Sequence, residues 1–66
     1  MKIILYTTHC PKCKILENKL KSKNIEYIIE EDVEKMLSLG MSEVPQLQVG
    51  NEILDFGAAV RWINNL

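Results

Sequence analysis

The chain has 66 residues, of which 47% are hydrophobic and 26% charged, and its formal net charge is −1. This length and composition argue against intrinsic disorder and predict a single domain, residues 1–66, with a thin core. No apolar run approaches the roughly 18 residues of a membrane span, and the start of the chain shows no signal-peptide pattern. We therefore expect a cytoplasmic monomer without membrane association.

The charges are unevenly distributed along the chain. Residues 1–24 contain six lysines and one acid, Glu17, whereas residues 25–66 contain eight acids and two cations. The lysine-rich segment is either a solvated helix face or a source of positive potential that stabilises a thiolate and steers acidic partners. Because the chain has no basic excess and no aromatic interleaving among these lysines, we expect no nucleic-acid partner.

The first half of the chain predicts a strand, a helix and a second strand. Residues 2–6 have the β-branched and aromatic character of a strand. A helix runs from Pro11 to about Lys23, and Asn24 can take the left-handed conformation that ends it. Residues 25–29 are again apolar and β-branched, which predicts a parallel strand covered on both faces and hence a right-handed βαβ unit.

The second half predicts a helix, a hairpin and a last helix. Residues 31–39 show helical spacing, and Gly40 follows as the stop. Residues 46–49 alternate like a half-buried strand, residues 50–51 are a Gly-Asn turn signal, and residues 52–54 return as the hairpin partner. In the helix predicted over residues 31–39, the apolar positions are Val33, Met36 and Leu37.

Asp55 can cap the last helix, and Trp62 lies beside its apolar stripe at the edge of the core. That stripe consists of Phe56, Ala59, Val60 and Ile63. The resulting order, βαβαββα, indicates an α/β fold in which a four-stranded mixed sheet is flanked by helices.

The candidate reactive residues are 10–13, Cys-Pro-Lys-Cys, at the junction between the first strand and the first helix. Pro11 suits the first helical position, so Cys10 becomes the N-cap and Cys13 lies one turn further on the same face. Unpaired N–H groups and the positive end of the helix dipole stabilise a thiolate at Cys10. Three nearby residues add positive charge: His9, Lys12 and Lys14.

This arrangement predicts thiol–disulfide exchange. The Cys10 thiolate attacks a substrate disulfide, and Cys13, buried and with the higher pKa, then attacks the Cys10 sulfur and releases reduced substrate. His9 is either a base or a surface charge. Tyr6 either packs within its strand or flanks the thiols with its hydroxyl.

Other interpretations of the cysteine pair remain open. The pair has metal-ligand spacing, so an alternative function is a metal-handling or interaction module that holds zinc, copper or a shared iron–sulfur cluster. A closed zinc site needs four ligands, and His9 is the remaining candidate but is badly placed beside Cys10. An inert buried pair is a further alternative. We therefore expect no resident metal.

Three features together resemble the glutaredoxin family of the thioredoxin fold: the motif of residues 10–13 after a strand, Val44-Pro45 before a hairpin, and the order βαβαββα. The resemblance covers essentially the whole chain. It implies a thioredoxin-like fold with Cys10 as nucleophile and Cys13 as resolving cysteine. It also implies a cis Val44-Pro45 bond, which turns the backbone outward to pair with an extended substrate.

The resemblance further implies partners and an electron source. The partners are protein or small-molecule disulfides, no cofactor is bound, and electrons come from glutathione or from thioredoxin reductase with NADPH. The expected substrate-binding residues are Pro11, Lys12, Val44, Pro45 and, if its hydroxyl flanks the site, Tyr6.

Two positions differ from the glutathione-using members of the family. Those members have a lysine three residues before the first cysteine, where this chain has Thr7. They also have a Gly-Gly pair followed by an acid or hydroxyl residue at the last helix, where this chain has residues 55–59. We therefore expect weak turnover with glutathione and better reduction by a protein partner. Members that donate electrons to ribonucleotide reductase, recharged by thioredoxin reductase, lack the same groups and provide an alternative.

Overall fold

A computed structural model describes residues 2–66; Met1, the first residue of the predicted domain, lies outside them. The order of elements is βαβαββα, as predicted. Four strands form one mixed sheet in the order β2-β1-β3-β4, with β1 parallel to β2 and the other pairs antiparallel. The elements are β1 (Ile3–Tyr6), α1 (Pro11–Ser22), β2 (Ile28–Glu30), α2 (Val33–Ser38), β3 (Gln46–Val49), β4 (Glu52–Leu54) and α3 (Phe56–Asn64).

The main core lies on the face of the sheet that α1 and α3 cover. Leu5 and Leu47 face each other across β1 and β3 and meet buried residues from both helices. Trp62 packs partly buried against this cluster, as the sequence predicts. The fully or almost fully buried members are Leu5, Leu16, Leu20, Leu47, Ala59 and Ile63.

The opposite face of the sheet carries a smaller cluster. Side chains alternate between the two faces along a strand, so Tyr6 points away from the main core and packs with Met36 and Met41. α2 supplies Met36 as its one buried residue.

Both predicted helix stops adopt left-handed backbone. Asn24 has φ 56° and Gly40 has φ 81°. In α1 the Ile25 N–H donates to the Leu20 carbonyl at 3.1 Å, and in α2 the Met41 N–H donates to the Met36 carbonyl at 3.0 Å. These are the long bonds of the Schellman motif, which satisfy carbonyls that the helix leaves free.

The second strand differs from its prediction in position and in burial. It spans Ile28–Glu30 rather than residues 25–29, because Ile25 is used to close the end of α1. It also lies at the edge of the sheet, and Ile28 and Ile29 are both exposed. The expectation of a strand covered on both faces is therefore wrong.

The second helix is shorter than predicted. Asp32 is its N-cap and accepts hydrogen bonds from the Glu34 and Lys35 N–H groups at 3.0 and 3.3 Å. The helix therefore begins at Val33 rather than at residue 31, and its predicted apolar residues Val33 and Leu37 are exposed.

The hairpin has the predicted bounds, and the last helix begins directly after its predicted cap. Gly50 has φ 62° in the turn, where left-handed backbone favours glycine. Asp55 caps α3, because its Oδ1 accepts the Ala58 N–H at 2.8 Å. No helix within residues 2–66 is both long and apolar enough to cross a bilayer.

Candidate functional site

The two cysteines meet at the N-terminus of α1. Cys10 is the N-cap, with extended backbone (φ −69°, ψ 167°), and its Sγ accepts the Cys13 N–H at 3.2 Å. The two Sγ atoms lie 2.7 Å apart, and both residues are free cysteines. Cys10 is half-exposed, whereas Cys13 is fully buried. Cys10 is therefore accessible from solvent, whereas Cys13 is not.

The turn before Cys10 is held by a buried threonine. His9 has φ 63°, and its backbone N–H donates to Thr7 Oγ1 at 2.9 Å. Thr7 is fully buried, and its own N–H donates to the Glu30 carbonyl at 3.0 Å. Sequence reasoning treated Thr7 only as a missing lysine. The signal that could have found it is a threonine two residues before a turn, where the hydroxyl commonly bonds to the backbone.

The pKa of the buried Cys13 thiol lies below its ordinary value. Burial is the largest influence and raises the pKa, but hydrogen bonds from the side chains of Cys10 and Thr7, and from the backbone of Thr8 and Cys10, together outweigh it. The expectation that the pKa of Cys13 is not lowered is therefore wrong. The hydrogen bond between the two sulfurs allows one of them to hold a negative charge while the other keeps its proton.

The Val44-Pro45 bond is cis, as the resemblance implies. Pro45 is buried and Val44 half-exposed. Both line a cleft of about 320 Å³ between the loop before β3 and the start of α3. The full lining is Lys12, Glu43, Val44, Pro45, Asp55, Phe56, Gly57 and Arg61.

The cleft brings charged side chains from three parts of the chain together. Lys12 Nζ lies 5.6 Å from the centre of the Phe56 ring, a cation–π distance. Arg61 reaches the N-terminus of α3, since a Cβ built on Gly57 would lie 3.6 Å from Arg61 Nη1. The sequence analysis missed Arg61. Its position one turn after Gly57 on the same helix was the available signal.

Other predicted site residues lie around the thiols in different roles. Pro11 is exposed at the first position of α1, next to Cys10. Tyr6 is buried, and its hydroxyl donates to Gln48 Oε1 at 2.7 Å, which favours the packing role. The His9 ring faces two carboxylates, with Nδ1 3.8 Å from Glu17 and Nε2 3.2 Å from Glu31.

Within residues 2–66, no three His, Cys, Asp or Glu side chains come together in a way that could hold a metal ion. The fold and the site define a small α/β protein with paired cysteines at a helix N-terminus. Comparisons of the chain with protein-family models, curated proteins and solved structures return no match.

Proposed function

We propose that this protein is a thiol–disulfide oxidoreductase of the glutaredoxin type, with a thioredoxin-like fold, working in the cytoplasm. The observation that carries the proposal is the Cys10–Cys13 pair: a half-exposed sulfur at a helix N-cap, 2.7 Å from a buried one. A site of this kind needs no cofactor, because the two thiols supply two electrons when they join as a disulfide.

In the first half-reaction the Cys10 sulfur attacks one sulfur of a substrate disulfide. A Cys10–substrate disulfide forms, the substrate S–S bond breaks, and one substrate thiolate leaves and takes up a proton. The Cys13 N–H, 3.2 Å from Cys10 Sγ, stabilises the attacking thiolate.

In the second half-reaction Cys13 attacks Cys10. Its sulfur forms a bond with Cys10 Sγ, the mixed disulfide breaks, and the second substrate thiol is released. Hydrogen bonds from the Thr7 side chain and from the backbone of Thr8 and Cys10 remain to stabilise the Cys13 thiolate in this step. Substrate has gained two electrons and two protons, and an external thiol or an NADPH-dependent reductase returns the protein to the dithiol.

The substrate is proposed to lie along the loop before β3. Val44 is half-exposed beside the cleft, so its backbone is available to an extended chain. Lys12 lines the same cleft from α1, and Pro11 is exposed next to Cys10. Protein and small-molecule disulfides both fit this backbone recognition, because it does not depend on substrate sequence.

A protein reductant is favoured over glutathione. Thr7 is uncharged and fully buried, so it cannot bind a glutathione carboxylate. The Asp55 carboxylate already takes the Ala58 N–H at 2.8 Å, so a negative charge occupies the helix end that an incoming carboxylate would use. Lys12 and Arg61 partly offset this, which supports weak rather than absent glutathione turnover.

The test is reduction of a small disulfide by the reduced protein. Wild type is expected to react, Cys10→Ser to lose the reaction, and Cys13→Ser to stop at a mixed disulfide whose mass reports the trapped substrate. Recycling by glutathione with its reductase is compared with recycling by thioredoxin reductase and NADPH. A Cys10→Ser variant that keeps the wild-type rate would rule out the mechanism. Stoichiometric metal that requires both cysteines would favour the metal-handling alternative.

A further inference from the structure

An apolar cleft lies on the α2 side of the loop before β3. It has a volume of about 170 Å³ and is formed mainly by apolar side chains of α2 and of the loop. Two of them are largely open to solvent: the exposed fraction is 52% for Val33 and 64% for Leu37. The other apolar residues of the cleft are Met36, Met41 and Val44.

The fold does not account for these exposed side chains. Val33, Met36 and Leu37 have the spacing of a core-facing stripe, yet only Met36 is buried against the sheet. Leaving large apolar groups in water forgoes the main driving force of folding. Because these side chains are exposed together beside a concave surface, they favour a binding surface there.

The apolar cleft adjoins the thiols. Thr8, two residues before Cys10, lines it, and so do Glu43 and Val44. Glu43 and Val44 also line the charged cleft that contains Lys12. A chain that crosses Val44 to reach Cys10 would therefore have the charged cleft on one side and the apolar cleft on the other.

The border between the two clefts also carries a negative charge, that of Glu43. Two other acids near α2 have ion-pair partners: Glu30 Oε1 lies 3.0 Å from Lys35 Nζ, and Glu31 Oε1 lies 3.2 Å from His9 Nε2. Within the described part of the chain, no cation comes within ion-pair distance of the Glu43 carboxylate. A positively charged group on a partner would complement it.

We infer that the apolar cleft is a docking site for a protein disulfide whose cysteine is flanked by an apolar and a basic residue. The apolar side chain inserts between Val33, Leu37 and Met41, and the basic side chain faces Glu43. The inference rests on the proposed function and adds the class of substrate to it. It separates protein substrates from small disulfides, which reach Cys10 without touching α2.

The test uses disulfide-linked dimers of three short peptides and one small disulfide. In the first peptide the cysteine is flanked by leucine and lysine; in the second, serine replaces the leucine; in the third, glutamate replaces the lysine. The single-turnover rate of the reduced protein is expected to be about tenfold higher with the first peptide than with either of the others, the discrimination typical of one apolar group or one charge contact.

Variants assign the discrimination to the cleft. Leu37→Ser is expected to bring the first peptide down to the rate of the second, and Glu43→Gln to bring it down towards the third. The matched control is Leu39→Ser, because Leu39 is 50% exposed at the end of the same helix but does not line the cleft. It is expected to leave all four rates unchanged.

The outcomes separate the two proposals. Equal rates for the three peptides, with the small disulfide reduced normally, would overturn the docking site and leave the proposed function standing. The same would follow if Leu39→Ser lowered the rate with the first peptide as much as Leu37→Ser. If wild type reduces neither the small disulfide nor any peptide, the proposed function fails and the docking site fails with it.

Discussion

Thr7 determines the geometry of the cysteine turn more than any charged neighbour. Its hydroxyl accepts the N–H of His9, a residue with left-handed backbone, and its side chain also helps to lower the pKa of Cys13. One buried oxygen therefore holds the turn and tunes the inner thiol. The ring of His9, by contrast, points to Glu17 and Glu31.

Replacing Thr7 by Val removes this oxygen while keeping the shape of the side chain. The His9 N–H then has no partner, and we expect a loss of about 1–3 kcal/mol in the free energy of unfolding. The pKa of Cys13 is expected to rise towards its ordinary value, because one of its hydrogen bonds is lost. Urea unfolding and the pH dependence of thiol alkylation measure the two effects. Thr7→Ser keeps the hydroxyl and is the control; an equal loss in both variants would contradict this account.

The titration of Cys13 makes the stability of the reduced protein depend on pH. Its pKa in the folded state lies below the ordinary value of 9.0. In the pH range between those two values, the folded protein has lost a proton that the unfolded chain keeps. The free energy of unfolding therefore rises with pH across that range, and the gain is lost as pH falls through the folded pKa.

Urea unfolding of the reduced protein from neutral pH to just above 9.0 measures this dependence. Cys13→Ser lacks the titrating thiol, so its free energy of unfolding is expected to rise less over the same range. If wild type and Cys13→Ser show the same dependence on pH, the pKa of Cys13 is not lowered by folding.

At the scale of the elements, two left-handed residues end the first two helices. Gly40 has φ 81°, and a Cβ built there would have no heavy atom within 4 Å. The cost of Gly40→Ala is therefore conformational rather than steric, and we expect a loss of about 1–2 kcal/mol. Asn24→Gly is the matched change in the opposite direction at φ 56°, and it is expected to be neutral or slightly stabilising. Urea midpoints compare the two, and a neutral Gly40→Ala would contradict the argument.

Sequence patterns predicted the elements whose signals are local. The caps at Cys10 and Asp55, the stops at Asn24 and Gly40, and the hairpin over residues 46–54 all depend on neighbours within a few residues. Backbone conformation at these positions is decided by side chains that are adjacent in sequence, so the pattern is sufficient.

The misplaced features depend on distant parts of the chain. No local sequence pattern near residues 28–30 indicates that the strand lies at the edge of the sheet. Its edge position follows from the pairing of β3 with β1. The spacing of Val33 and Leu37 equally fits a buried stripe or a docking surface. In the candidate site the two cysteines were found from their motif, whereas Arg61 joins the cleft only through the packing of α3 beside the loop.

Helices cover the two faces of the sheet unequally, so that the sheet has a thickly covered side and a thinly covered side. α1 and α3 cover one face, whereas the six residues of α2 cover only part of the other. Across the thinly covered face, one row of residues runs in register through all four strands, and its outer members Ile28 and Ile53 are 52% and 45% exposed. The row is Ile28, Ile4, Gln48 and Ile53. Stability must therefore come mainly from the thick side.

Substitutions on the two sides of the sheet are expected to differ strongly in how much they lower the free energy of unfolding. Leu16→Ala removes a fully buried side chain of the main core and is expected to cost about 2–5 kcal/mol. For a domain of this size that is most of the total stability, which rarely exceeds about 3–5 kcal/mol. Ile28→Ala on the exposed row is expected to cost much less. Thermal unfolding followed by circular dichroism compares the variants; similar losses would mean that the thin side also carries the fold.

The cap that Cys10 forms on α1 links the backbone to the oxidation state of the site. A thiolate is a strong acceptor for the Cys13 N–H, but the same sulfur in a disulfide carries no charge and accepts weakly. The proposed reaction would therefore weaken and restore this capping hydrogen bond in each cycle. The rate of amide hydrogen exchange at Cys13 is then expected to be higher in the disulfide form than in the thiolate form.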